Sequence, residues 1–133
     1  MALAGHAEVR IVESRIFCLE LTGFLSEEVA RLALIRAREV LEGRRVRIAV
    51  ADTTAATGTQ MSVQGPVRDF VALTREHGVQ EFFCAAISPA MRLLGSVVAL
   101  ATGVRIHLFS TADAAWASAR TAVRRGTVST ERG

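Results

Sequence analysis

Apolar and polar positions follow two rhythms along the chain, a period of two and a period near 3.6, and the switches between them predict a succession of strands and helices. Val9 and Ile11, then the run Ile16 to Leu21, read as two strands separated by Glu13-Ser14-Arg15, short enough for a hairpin. Ser26 caps a helix with Glu27 and Glu28 in its first turn, where carboxylates oppose the positive end of the helix dipole. Val29, Leu32, Ala33, Arg36 and Val40 fall at helical spacing, and Gly43 suits the position after the last turn. That helix should run to about Leu41.

Val46 to Ala51 is a short apolar run that suits a strand buried on both faces. The segment Asp52 to Gly65 that follows is rich in Thr, Ala and Gly with little periodicity. It reads as a loop, and strand ends in α/β sheets are where sites collect. Pro66 to His77 reads as a helix with Gly65 as its N-cap, Val67, Phe70 and Val71 on one face, and Gly78 ending it. Glu81 to Ile87 is the next strand, and it leads straight into a helix whose cap is written out, with Ser88 as N-cap and Pro89 as first helical residue. This helix closes at Thr102-Gly103, and Val104 to Phe109 is a final strand.

Ser110 or Thr111 caps the last helix, and Ala115, Ala119 and Ala122 give it a flat face that can sit close to a sheet. From Arg124 onward the residues are Arg, Gly, Ser and Thr, which predicts a flexible tail over 124–133. A hairpin followed by repeated helix-strand crossovers predicts one α/β domain over 1–133. Its sheet should be mixed and mainly parallel, with helices covering it.

Composition narrows the class. With 133 residues and 50% hydrophobic content the chain can bury a core without disulfides or metals. No apolar run approaches the roughly 20 residues of a membrane span, and no basic leader precedes an apolar segment at the start, so a cytoplasmic protein without a membrane partner is expected. The pI of about 10.0 arises because all 16 basic residues are Arg and no Lys or Tyr buffers at high pH. A formal charge of +3 is therefore weak ground for a polyanion, and no direct nucleic-acid partner is expected. Arg44, Arg45 and Arg47 form a basic cluster after Gly43 that reads as a solvated turn or a surface for an acidic protein.

Candidate chemistry is sparse. Gly58 and Gly65 stand too far apart for a phosphate loop, and there is no Lys to serve one. His6, His77 and His107 are scattered without metal spacing, and Cys84 paired with either of the last two would lack an orienting third group. Cys18 and Cys84 both lie in apolar strand-like runs, as buried free thiols do. Glu13, Glu20, Glu27 and Glu28 read as hairpin and cap residues. We expect no catalysis, cofactor or metal. The remaining candidate is Asp52 to Arg68, in which Asp52 either caps the amides of Thr53 and Thr54 or serves a site, and Ser62 is either an ordinary polar residue or a hydroxyl presented to a kinase near a helix start.

Cys84-Ala-Ala-Ile-Ser-Pro-Ala-Met-Arg-Leu-Leu-Gly95 resembles the third-helix junction of the STAS family (sulfate transporter and anti-sigma antagonist). Ile16-Phe-Cys-Leu-Glu-Leu-Thr-Gly-Phe-Leu25 is similar to that family's strand ending in Leu-Thr-Gly-x-Leu. The likeness covers about Glu8 to Ala122. It implies one sheet of about five strands beside about four helices. Between these anchors the family carries an Asp-Ser-Ser-Gly turn whose second Ser is phosphorylated, and counting from both sides places Ser62 there. Gln60, Met61 and Val63 stand where the family has Asp, Ser and Gly.

The resemblance implies a bacterial protein-interaction domain that binds an anti-sigma factor or a related serine kinase. In the family, the unphosphorylated domain sequesters the anti-sigma factor and phosphorylation ends binding. The implied partner surface comprises Asp52, Thr53, Thr54, Ser62, Gly65 and Arg68, and a homo-oligomer is compatible with it. A second reading, from a different class, is a carrier or sensor of a small apolar ligand, with Met61, Phe70, Met91 and Leu94 lining the pocket.

Overall fold

The computed structural model describes residues 5–132, with side chains through 125. Strands β1 (His6–Val12) and β2 (Ile16–Leu25) form the opening hairpin, and α1 (Glu27–Leu41) leads to β3 (Ile48–Thr59). A 3-10 turn (Met61–Val63) then runs directly into α2 (Gln64–Glu76). After it come β4 (Glu81–Ala85), α3 (Pro89–Thr102), β5 (Arg105–Phe109) and α4 (Ala112–Arg132).

The sheet order is β1-β2-β3-β4-β5, antiparallel between β1 and β2 and parallel thereafter. Because parallel strands are laid down in sequence and crossovers are right-handed, α1, α2 and α3 must all lie on one face. The helix after β5 is left for the other. Strand alternation serves both layers: Phe17, Leu21, Ala49, Ala51 and Phe82 face the core shared with the first three helices. Ile16, Ile48, Val50, Phe83 and Ala85 pack instead against Ala115 and Ala119 of α4. Both alanines are fully buried, so the flat face read from the sequence is the one that meets the sheet.

Helix ends follow the expected chemistry. Ser26 accepts from the Val29 amide at 3.2 Å, Ser88 from the Met91 amide at 3.4 Å, and Thr111 from the Ala114 amide at 3.2 Å. Gly103 closes α3 at φ 74°, the left-handed region where a side chain would be strained. Replacing Ser88 by Ala should lower stability by about 1 kcal/mol or slightly less, because the 3.4 Å bond is long. An unchanged urea midpoint would show that Pro89 alone sets this helix start.

Several boundaries differ from the sequence reading, and the largest difference concerns Asp52 to Gly65. Most of that segment is strand. β3 continues to Thr59 along β2 alone, through register shifts after Glu20 and Gly23 that mark bulges. Asp52 therefore lies within β3, opposite the last residue of β4, rather than at the end of its own strand. Hydropathy gave no sign of this extension because it is built from Thr, Ala and Gly, whose alternation between inside and outside carries little contrast.

Two helical faces also shift. The buried side of α1 is Ala30, Ala33, Ala37 and Leu41, so Leu32, expected inward, is exposed. Pro66 sits two residues inside α2 rather than opening it, and Val63, not Gly65, occupies the N-cap. Finally, α4 continues as helix to Arg132, where a flexible tail was expected from Arg124. Side chains beyond 125 and residue 133 lie outside the described residues.

Candidate functional site

Ser62 occupies the middle of the 3-10 turn that opens the second helical segment. Its hydroxyl is exposed and accepts from Gln60 Nε2 at 2.8 Å. The Val63 amide donates to the Gln60 carbonyl at 3.2 Å, so the amides of Met61 and Ser62 precede the first intrahelical bond. Negative charge at this position would gain from the positive end of the helix. The 3-10 turn thus moves the helix tip upstream of Pro66 and brings Ser62 into the first turn, which the Pro66 signal alone had placed outside it.

Helices α2 and α3 lie side by side, with the Arg75 guanidinium donating to the Thr102 carbonyl where both end. The strands that precede them, β3 and β4, are parallel neighbours, so the two helices run in the same direction. Large apolar side chains stand out in solvent along these elements. Met61 is 81% exposed, Ile87 just before α3 is 65%, and Leu93 in its second turn is 66%. Val97 and Leu100 extend the α3 stripe away from the sheet at helical spacing. Arg68, Asp69, Arg75 and Glu76 of α2 and Ala101 and Thr102 of α3 line a cleft of about 490 Å³ toward the end where both helices finish. Sequence reasoning missed the α3 stripe, although a helix apolar nearly all round, with Arg92 its only charge, was the available signal.

The six residues implied as a partner surface do not form one patch. Ser62, Gly65 and Arg68 belong to the start of α2. Asp52, Thr53 and Thr54 lie about 20 Å back along β3 from Thr59 at strand spacing. Asp52 Oδ1 accepts from the Thr54 amide at 3.0 Å and its hydroxyl at 2.7 Å, while buried Thr53 donates to the Ala85 carbonyl at 2.8 Å. All three side chains are held by local bonds. Gly65 has no atom within 4 Å of where a Cβ would stand, so its substitution is sterically free. Gly65→Ala should raise stability by up to about 1 kcal/mol through lower chain entropy, as a small upward shift of the urea midpoint would register.

Between the sheet and the first three helices lies a cavity of about 100 Å³. Phe70, Met91 and Leu94, expected to line an apolar pocket, do line it; Met61, expected with them, points to solvent.

The histidines are apart, as their spacing suggested. His6 Nε2 lies 3.3 Å from Glu8, His77 Nδ1 lies 3.2 Å from the Arg44 carbonyl, and His107 Nε2 lies 3.1 Å from Glu81 Oε1. Glu81 also meets Arg47 at 3.6 Å and Arg105 at 3.8 Å, an ion network at the far end of the sheet. Arg92 binds the Ala86 carbonyl at 3.0 Å and Ser110 at 3.1 Å, tying the two junctions after β4 and β5. Among the described residues no three His, Cys, Asp or Glu side chains are grouped to hold a metal.

Cys18 and Cys84 are free, on strands separated by β3, and they face opposite sides of the sheet. No disulfide can join them. Cys18 is fully buried, whereas Cys84 keeps some accessible surface and lines the internal cavity. Burial pushes the Cys18 thiol up to about 11, against the opposing pull of Arg10, and pushes Cys84 up to about 12. Both stay protonated at neutral pH and should react slowly with thiol reagents in the native state.

Raised thiol values carry a pH consequence. Unfolded thiols ionise near 9 while the folded ones remain neutral, so stability present below pH 9 should fall as pH climbs toward 11. The loss should be at most about 2 kcal/mol per thiol at pH 10.5. Urea midpoints at pH 8 and 10.5, compared with those of Cys18→Ala and Cys84→Ala, measure it; variants that fall as steeply as the parent would remove the thiols from the account.

No protein-family model and no curated relative matches the sequence. Solved structures do match the fold. A protein of the DUF3478 family with a SpoIIAA-like fold from Shewanella loihica PV-4 is 12% identical, with TM-score 0.63 over 87% of this chain and 94% of that one. An anti-sigma factor antagonist from Mycobacterium paratuberculosis is 14% identical, with TM-score 0.63 over 88% of this chain and 95% of that one. SpoIIAA in its unphosphorylated form, also an anti-sigma factor antagonist, is 14% identical, with TM-score 0.64 over 86% of this chain and 97% of that one. The five-stranded mixed sheet with three helices on one face and one on the other is thus the STAS-like fold of the anti-sigma factor antagonists.

Proposed function

We propose that this chain is a protein-interaction domain that docks a regulatory partner around Ser62, acting as an anti-sigma factor antagonist acts. The observation that carries this reading is Met61, 81% exposed in the same 3-10 turn as the exposed Ser62 hydroxyl, together with the solvent-facing apolar side chains Ile87 and Leu93 at the start of α3. Exposed apolar side chains of this size suit the core of a docked surface. The partner is an anti-sigma factor or a related serine kinase. Ser62 lies within the docked area, so a phosphate there ends binding.

The domain works by binding rather than by catalysis. Each histidine is engaged by a neighbouring group other than a nucleophile, and both thiols are held neutral, which supports that assignment. SpoIIAA is known in unphosphorylated and phosphorylated forms, and its fold is shared here. The Gln60-Met61-Ser62-Val63 turn differs from the STAS pattern but keeps the serine at a helix tip.

Capture from extracts of the native host tests the proposal. The wild-type chain and an Arg124→Glu control on α4 should retain the same protein, and Arg68→Glu should lose it. Identical captures by Arg68→Glu and the wild type would place the partner elsewhere on the molecule.

A further inference from the structure

The cavity behind the docking helices goes beyond the docking reading and stands without it. Its walls come from all three covering helices and the sheet, among them Ala33, Ala51, Phe70, Cys84, Leu94 and Gly95. Two polar side chains reach it. Thr53 is committed to the Ala85 carbonyl at 2.8 Å, and the Cys84 thiol is neutral. A water inside would need two to four polar partners, and the walls do not supply them.

The space is not forced by a shortage of large side chains. Ala30, Ala33, Ala51, Ala86 and Gly95 line it, yet Leu32 and Ile35 on α1 and Leu93 and Leu100 on α3 face solvent. Nor does crowding require the glycine: a Cβ on Gly95 would meet Leu108 at 3.5 Å and Ile106 at 3.7 Å, which is ordinary contact. Close-packed interiors keep few voids larger than water, and an unfilled void destabilises. An apolar cavity of about 150 Å³ takes up benzene, so on the same scale about 100 Å³ accommodates a molecule of about four carbons.

We propose that this cavity is a binding site for a small neutral apolar molecule, a hydrocarbon or short alkyl group of about four carbons. Shape and exclusion of water select it, and no charged or hydrogen-bonding group is needed.

Xenon and butane serve as probes in a methyl NMR titration of the full chain. Saturable shifts are expected at the wall methyls of Val71, Leu94 and Ile106, with a melting temperature about 5 °C higher at ten times the dissociation constant. Gly95→Val and Ala33→Leu, each verified as folded by its own spectrum, should lose the response by filling the space. If either variant fails to fold, the other and the wild-type titration still decide the matter. No saturable shift up to probe solubility, shifts confined to exposed Leu93 and Leu100, or an undiminished response in a folded filled variant would overturn the site.

Discussion

Ser62→Asp should weaken partner binding at least thirtyfold while Ser62→Ala stays within about threefold of the wild type. In the free chain, the aspartate sits in the first turn of a helical segment, where negative charge is favourable, so melting should hardly change. In the complex the same carboxylate must leave water beside Met61 without a counter-ion supplied for it. Truncating or stranding a charge in an interface commonly costs about 2 kcal/mol or more, which is roughly thirtyfold in affinity. The alanine variant loses only the exposed bond from Gln60, worth little when solvent can replace it. Calorimetric titration of both variants against one captured partner measures the contrast. Equal affinities for Asp and Ala would sink the idea that Ser62 lies in the docked surface.

Phe17→Ala should cost about 3–5 kcal/mol of stability, the largest loss expected from a single truncation here. Phe17 is fully buried in β2, between β1 and β3, and its ring lies 5.9 Å from that of Phe70. That contact joins the sheet to α2 and so helps to hold the docking helix in place. Against a typical total of about 5–15 kcal/mol, such a loss leaves a marginal domain. Urea denaturation should show a lower midpoint with little change in slope. A loss below about 1 kcal/mol would mean that the core closes over the missing ring and that α2 is anchored by other contacts.

Much of the fold was legible because local signals and tertiary packing agree over most of the chain. Ser26, Ser88 and Thr111 cap where their side chains suggest, and Ala115 and Ala119 meet the sheet as their size suggests. The misread stretch is the one where tertiary pairing overrides local pattern. From Thr53 to Thr59 the strand is held by β2 through two bulges, and Phe24 lies against Gly58 where a side chain is missing. Thr, Ala and Gly cannot announce that arrangement by hydropathy.

The candidate site was half legible. Counting from two well-matched anchors placed Ser62 at a helix start, which the 3-10 turn provides. Pro66 pointed the other way, because a proline two residues inside a helix resembles one that opens it. The family resemblance implies one surface for Asp52, Thr53, Thr54 and Ser62, and the extension of β3 separates them. The exposed Leu93 and Leu100 escaped notice because an apolar helix reads as buried until its solvent side is known.

Amide hydrogen exchange of the full chain, free and saturated with the captured partner, tests the docking surface most directly. The account predicts new protection over residues 60–76 and in the first turns of α3, with α4 unchanged. Protection confined to α4 or β1, with residues 60–76 exchanging as in the free chain, would contradict it.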